Sequence, residues 1–330
     1  MMEDINDFIF SSNLSFEEKA IRTFHFQYRH NNVYQRFVDG LNCRPSSIKY
    51  VEQIPFLPIA FFKNHTVTST EFSPELVFTS SGTTNTVNSK HFVKEASIYE
   101  RSFKTAFQQF YGNVDDYCVL GLLPSYLERQ GSSLVYMIEK MMGMSRHPLN
   151  GFHLYDHEVL SKKLLQLEIE NQKTLLIGAT FALLDFAARY QLALKHTIVM
   201  ETGGMKGRGK ELIRGEVHAL LQNAFGLTNI HSEYGMTELL SQAYAREGGI
   251  FQTPHWMKIF IREEDDPLSV TSSSIDNHIV GAINIIDLAN IYSCSFIATD
   301  DIGKLYSDNS FEVLGRLDSS DIRGCSLLTL

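Results

Sequence analysis

From about residue 98 this chain alternates between two hydrophobic patterns, and that alternation limits its fold more than any other feature. Ile98–Phe110 has helical spacing, Tyr117–Leu123 is a buried strand closed by Pro124-Ser125, and Ser132–Met142 is an apolar helix. Thr174–Ile177 and Thr197–Met200 read as strands, and Lys210–Phe225 as a helix between Gly209 and Gly226. From about Trp256 the chain turns to short β segments: Lys258–Ile261, Gly281–Ile286, Ser295–Thr299 and Glu312–Leu314. Strands and helices in alternation, then a β-rich end, predict α/β layers with more than one sheet. No repeat, low-complexity tract or linker interrupts the pattern. Residues 1–330 are therefore expected to form a single domain, with 1–195 and 196–330 as possible subdomains.

The first third is read from its caps and prolines. Ser15-Phe-Glu-Glu18 is a capping box, and Phe16, Ala20, Phe24 and Tyr28 follow at i, i+4 spacing, which predicts a helix burying one stripe. Ile54-Pro-Phe-Leu-Pro58 forces an extended run, because proline pushes its predecessor out of the α region. Leu76-Val-Phe78 is a short strand. Thr79–Ser89, rich in Ser, Thr, Gly and Asn, is the loop that leaves it.

Composition excludes some functions. A net charge of −9 argues against a nucleic-acid binder, which needs a basic face. MMEDINDFIF lacks the basic start and apolar run of a secretory signal. Thr174–Ala188, the most apolar stretch, is broken by Asp185 and is too short to span a bilayer. Cys43, Cys118, Cys294 and Cys325 form no CxxC pair, which speaks against a zinc cage, and scattered thiols fit a reducing cytoplasm.

Four separated segments carry the chemistry. In Ser80-Ser81-Gly82-Thr83-Thr84, small residues after a strand let several N–H groups and hydroxyls converge on an anion; the plain alternative is a polar surface loop. In Tyr234-Gly235-Met236-Thr237-Glu238, a helix start after a strand would aim N–H groups and the Thr237 hydroxyl at an anion, and Glu238 offers a carboxylate to Mg²⁺. The alternative there is a helix cap with an acidic first turn. Asp300-Asp301, just past the strand Ser295–Thr299, can accept from both hydroxyls of a ribose, or can form a simple turn before Gly303. Arg316 can hold a phosphate or ribose, or pair with Asp318 or Asp321 at the surface.

Other patterns do not qualify. Gly204-Met-Lys-Gly-Arg-Gly209-Lys210 has P-loop spacing, but Glu211 stands where Ser or Thr must hold Mg²⁺. His153, Asp156, His157 and Glu158 lack standard ligand spacing and read as a surface loop. No GxSxG elbow of a serine hydrolase occurs.

Taken in order, FTSSGTT, YGMTE, TDDIG and GRLD resemble the phosphate loop, the Tyr-Gly-x-Thr-Glu motif, the ribose motif and the hinge of the adenylate-forming superfamily. The resemblance implies that Asp301 binds ribose, that Asp318 is the hinge, and that Gly203-Gly204 lie along an adenine. Within that superfamily the chain most resembles the acyl-protein synthetase (LuxE-type) family of bacterial fatty-acid reductase. The phrases that carry this are SSGTT without a following Gly-x-Pro-Lys, LPSYLERQGSSLVYM at Leu123–Met137, and RGCSLL at Arg323–Leu328. That family activates a fatty acid as an acyl-adenylate and moves the acyl group to a cysteine near its C-terminus, where Cys325 stands. Asn85 replaces the usual glycine, which Asn can mimic by tolerating left-handed geometry. Lys90 does not align with the usual lysine of the loop, and the chain ends soon after the hinge.

The expectation is thus the large α/β domain of an adenylate-forming enzyme, lacking most or all of the C-terminal lid. ATP, Mg²⁺ and a carboxylic acid, a fatty acid by the resemblance, would meet in a cleft. Ser80–Thr84, Gly203, Gly204, Tyr234–Thr237, Asp301 and Arg316 would bind nucleotide, Glu238 would hold the metal, and Thr83, Glu238 and Cys325 would be catalytic. Gly131-Ser-Ser133 and Gly178-Ala-Thr180 are candidate walls of the acyl pocket, with core packing the alternative. The acyl group would pass to an acceptor protein, a reductase or carrier. Two other classes stay open: a CoA- or carrier-protein-dependent ligase, and a non-catalytic nucleotide- or acyl-binding relative.

Overall fold

A computed structural model describes residues 5–80, 87–124, 129–203, 212–263, 266, 268–272 and 277–317. Its frame is one 13-stranded mixed sheet with a separate two-stranded hairpin, Leu76–Thr79 against Lys90–Val93. The prediction of α/β layers with more than one sheet is met.

One half of the large sheet is parallel. Gly151–Phe152, Cys118–Leu122, Thr174–Ala179, Thr197–Thr202 and His231–Tyr234 lie side by side in that order. CVLGL and TLLIGA are buried at every position, as strands covered on both faces must be. Helices Ala96–Tyr111, Ser133–Ser145, His157–Ile169, Thr180–Ala187 and Arg214–Phe225 accompany this half.

The other half is antiparallel apart from the short strand Leu57–Pro58, which pairs parallel with Phe296–Tyr306 off the main path. From His231–Tyr234 it continues through Ala243–Ala245, Phe251–Gln252, Phe311–Arg316, Phe296–Tyr306, His278–Asp287 and Met257–Arg262 to Val270–Thr271. These strands are longer than their sequence patterns suggest. Phe296–Tyr306 runs through Asp300, Asp301 and Gly303, so these residues lie within a strand rather than in a turn after one. Gly303 is paired opposite Gly281, where a Cβ would meet Ile283 at 2.5 Å, so tight strand packing explains this glycine.

The capping box forms as read: Glu18 N–H donates to Ser15 Oγ at 3.1 Å and Ser15 N–H to Glu18 Oε2 at 3.3 Å, opening the helix Phe16–His30. Ala20 and Phe24 of the expected stripe are buried, while Phe16 and Tyr28 are partly exposed. Gln27, polar and fully buried, joins that stripe. Its Nε2 donates to Asn290 O and Ile291 O, and its Oε1 accepts from Ser295 N–H, locking the helix to the antiparallel half. Among the described residues no helix is long and apolar enough to cross a membrane.

Candidate functional site

The site lies where the two halves of the sheet meet, at the carboxyl ends of Thr197–Thr202 and His231–Tyr234. In sheets of this kind ligands bind beyond those strand ends.

The small hairpin closes over this point. Ser81, Gly82, Thr83 and Thr84 lie outside the described residues, but the base of their loop is described. Ser80 N–H donates to Ser89 O at 3.1 Å, and Ser89 N–H donates back to Ser80 Oγ at 2.9 Å. Thr79 N–H donates to Gly131 O at 2.8 Å. Gly131 stands at φ +78° with Thr79 Oγ1 2.8 Å from where a Cβ would sit, so glycine is required there. Gly131 therefore supports the loop. The hairpin is tied to the second motif by His91, whose Nδ1 is 2.8 Å from Thr237 O. A carbonyl only accepts, so Nδ1 carries the proton. Burial pushes the His91 pKa down to about 4, which keeps the ring neutral.

Glu238 is buried beside this junction, and burial raises its pKa, opposed by the Ser89 hydroxyl, Lys63 and Arg316. The helix start expected at Thr237-Glu238 does not form; both residues lie in a turn. Asp287 holds the following segment instead. Its carboxylate accepts from Leu240 N–H at 2.8 Å, Ser241 Oγ–H at 2.6 Å and Ala289 N–H at 3.1 Å, while burial lifts its pKa to about 6. Among the described residues no group of three or more His, Cys, Asp or Glu could hold a metal. A cation held by Glu238 would fill the rest of its shell largely with water and phosphate oxygens, which suits Mg²⁺. A buried carboxylate whose charged form is disfavoured is relieved by such a cation, so the donor set fits.

Tyr234, Asp301 and Arg316 converge from distant parts of the chain. Asp301 is the register partner of Arg316, whose Nε donates to Asp301 Oδ1 at 3.2 Å. Tyr234 donates its hydroxyl to Asp301 Oδ2 at 2.8 Å, and its ring packs against both Phe251 and Phe311, which also touch each other. The Arg316 side chain is 83% exposed, so the ion pair itself contributes no more than about 1 kcal/mol, and the guanidinium is accessible to a ligand.

Gly203, at φ +64°, follows the strand Thr197–Thr202. Thr180 Oγ1 lies 2.7 Å from Gly203 O and 2.9 Å from Glu201 Oε2, which gives this residue a polar role beside the strand end. Gly178 is core packing, because a Cβ there would meet Leu122 at 2.8 Å. Glu201 also meets Arg214 Nε at 3.3 Å and His218 Nε2 at 3.7 Å. Its pKa is lowered: burial pushes it up, but His218, Ser232, Arg214 and Thr180 together outweigh that.

Of the residues singled out in the sequence, Ser80, Gly203, Tyr234, Gly235, Met236, Thr237, Glu238, Asp301 and Arg316 are described. Those whose partners are given above gather at this one place. Gly204, Asp318 and Cys325 lie outside the described residues, as do Ser81–Thr84. His91, Lys63 and Asp287 carry no motif and were not legible as site residues; Ser89 ends the loop Thr79–Ser89 and Glu233 directly precedes Tyr234, but the sequence assigns neither a role. The surface loop expected at His153–Glu158 is in part a helix: His157 and Glu158 open His157–Ile169, Glu158 pairs with Lys162 at 2.6 Å, and His153 is buried against Lys163.

The family described as acyl-protein synthetase, LuxE, matches residues 3–329. No curated protein matches the chain. Among solved structures, the luciferase-like enzyme of the mealworm Zophobas morio is similar with a TM-score of 0.51 at 15% identity, over 76% of this chain and 60% of that one. The o-succinylbenzoate CoA synthetase of Bacillus subtilis, with its acyl-adenylate intermediate, gives 0.51 at 16% identity, over 74% and 49%. The same enzyme with ATP and a magnesium ion gives 0.50 at 15%, over 73% and 49%. These likenesses show the large-domain fold of adenylate-forming enzymes, of whose chains the present one spans 49–60%.

Proposed function

The chain belongs to the LuxE acyl-protein synthetase family, and from that and the geometry above we propose that it activates a carboxylic acid with ATP and carries the acyl group on Cys325. The observation that supports this best is the meeting of the Ser80–Ser89 loop base, the Thr237–Glu238 turn and the Tyr234–Asp301–Arg316 group at one set of strand ends. Asp301 would accept from the ribose hydroxyls, with Arg316 beside it. Gly203-Gly204 and the Tyr234–Met236 backbone would border the adenine. Ser80–Thr84 would donate to the phosphates, and Glu238 would hold Mg²⁺, whose charge offsets that of the phosphates.

A carboxylate oxygen of the acid attacks the α-phosphorus; the bond from that phosphorus to the bridging oxygen breaks, and pyrophosphate leaves. The Cys325 thiolate then attacks the acyl carbon. A C–S bond forms, the C–O bond to phosphate breaks, AMP leaves, and the thiol proton has gone to solvent. Cys118 and Cys294 are poor candidates for this step, because burial pushes both thiols up to about 12. A fatty acid is the substrate class that the family implies, with a separate acyl-accepting protein as final recipient.

ATP–pyrophosphate exchange across a panel of carboxylic acids tests the first step. With a labelled accepted acid, the hydroxylamine-labile label belongs on the peptide containing Cys325, and Cys325→Ser should keep exchange but lose the label. Active exchange with no label, or a label on Cys43, would favour a CoA- or carrier-dependent ligase. ATP binding without exchange for any acid would favour a non-catalytic relative.

A further inference from the structure

The strand ending at Tyr234 has two faces, and the residues assigned above use one of them. Tyr234 faces Asp301. Glu233 faces the other way, because side chains alternate along a strand. On that second face Glu233 is the register partner of Tyr244, and Gln242, two residues before Tyr244, shares the face. The helix Ala96–Tyr111 covers them with Tyr99, whose hydroxyl is 3.5 Å from Gln242 Nε2. The Thr202 hydroxyl donates to Glu233 Oε2. Glu233, Gln242, Tyr244 and Tyr99 are all buried.

Folding does not explain three features of this group. First, among the described residues no lysine, arginine or histidine pairs with the Glu233 carboxyl group, whose pKa burial, helped by the nearby Glu201 carboxylate and opposed by the Thr202 hydrogen bond, raises to about 7. Second, Tyr244 OH and Gln242 Oε1 are buried without a hydrogen-bond partner among the described residues. Third, Glu233 Oε1 lies 2.5 Å from where a Cβ of residue 235 would sit, so the carboxylate reaches the bare and exposed backbone of Gly235. Buried polar atoms are almost always paired, and one that is not calls for an explanation such as a bound water, an ion or a functional role.

Two acceptors and a hydroxyl beside an exposed glycine complement a donor. We propose that the acid activated here carries a hydrogen-bond-donating substituent, an amine or a hydroxyl, which enters past Gly235 and is held by Glu233, Gln242 Oε1 and the Tyr244 hydroxyl. This rests on the adenylation reading: the carboxylate to be activated faces the phosphates near Ser80 and Glu238, and the rest of the acid extends toward the face of Glu233. An unsubstituted alkyl chain would leave all three groups dry and unpaired, which sites built to bind a polar group discriminate against strongly.

The test is ATP–pyrophosphate exchange with alkanoates, hydroxyalkanoates and aminoalkanoates of matched length, the substituent being moved along the chain. At one position a donor-bearing acid should exceed its alkanoate in kcat/KM by about 100-fold, mainly through KM, and the two substituted series separate hydroxyl from amine. Glu233→Gln and Tyr244→Phe should each shrink that ratio about tenfold. Thermal melts report whether each variant folds. If Glu233→Gln does not, Tyr244→Phe, which removes one hydroxyl, decides. Alkanoates preferred at every length, or a ratio unchanged in the folded variants, overturns the proposal. No exchange with any acid overturns the adenylation reading itself, a distinct result.

Discussion

Replacing Gly235 by alanine isolates the contact between the Gly235 backbone and the buried carboxyl group of Glu233 behind it. Gly235 is not among the residues with positive φ, so alanine meets no backbone strain. Its Cβ would lie 2.5 Å from Glu233 Oε1 and 3.4 Å from Gln242 Cγ. The second distance needs only a few tenths of an ångström of give; the first is impossible. Glu233 must move, yet its other oxygen is held by Thr202 and Tyr244 is paired across from it. Overpacking costs about 1–3 kcal/mol, and loss of the Thr202 hydrogen bond about 1.5 kcal/mol more. The expected destabilisation is therefore about 2.5–4.5 kcal/mol. With Glu233→Ala in place the obstacle is gone, and adding Gly235→Ala should cost less than about 0.5 kcal/mol, a coupling of 2 kcal/mol or more. Urea unfolding of the four proteins of this cycle measures it, followed by the fluorescence of Trp256, the single tryptophan and fully buried. An equal cost of Gly235→Ala in both backgrounds would show that the side-chain contact is not the cause.

Two further predictions concern groups nearby. Asp287 titrates near 6 in the fold against 3.8 when unperturbed, so the folded state holds its proton more tightly. The stability it contributes is full below about pH 4 and is lost as pH rises through 6, by roughly 3 kcal/mol at about 1.4 kcal/mol for each pH unit between the two values. Unfolding of Asp287→Asn should therefore differ from wild type by an amount that changes between pH 4 and 6 and is flat above 7; a difference constant with pH refutes the assignment. Glu238→Gln and Thr83→Ala should lower pyrophosphate exchange by about 100-fold or more while remaining folded, as loss of a preorganised electrostatic contact does. Near-normal exchange in folded Glu238→Gln would remove Glu238 from the metal site.

Much of the architecture was legible because burial leaves a periodic record. Tyr117–Leu123 and Thr174–Ile177 announce strands covered on both faces, and Ser15–Glu18 announces a helix start, through local rules that need no distant partner. Element ends were less legible. Thr237-Glu238 looks like a helix start, but Asp287 and His91 supply tertiary hydrogen bonds that hold a turn there. Asp300-Asp301 looks like a turn, but the ladder with Phe311–Arg316 continues through it.

The sequence by itself determined the α/β class, the family to which the chain belongs, and the residues of four motifs. These depend on residue type and order along the chain. Only the tertiary structure decided how those residues meet: Tyr234 to Asp301 across the sheet, Ser80 to Ser89 at the loop base, and His91 to Thr237 between hairpin and turn. It alone also revealed Glu233, Gln242 and Tyr244 as one buried polar group. Register and burial arise from the packing of segments far apart in sequence. A carboxylate next to a motif looks the same in one dimension whether it faces solvent or an interior recess.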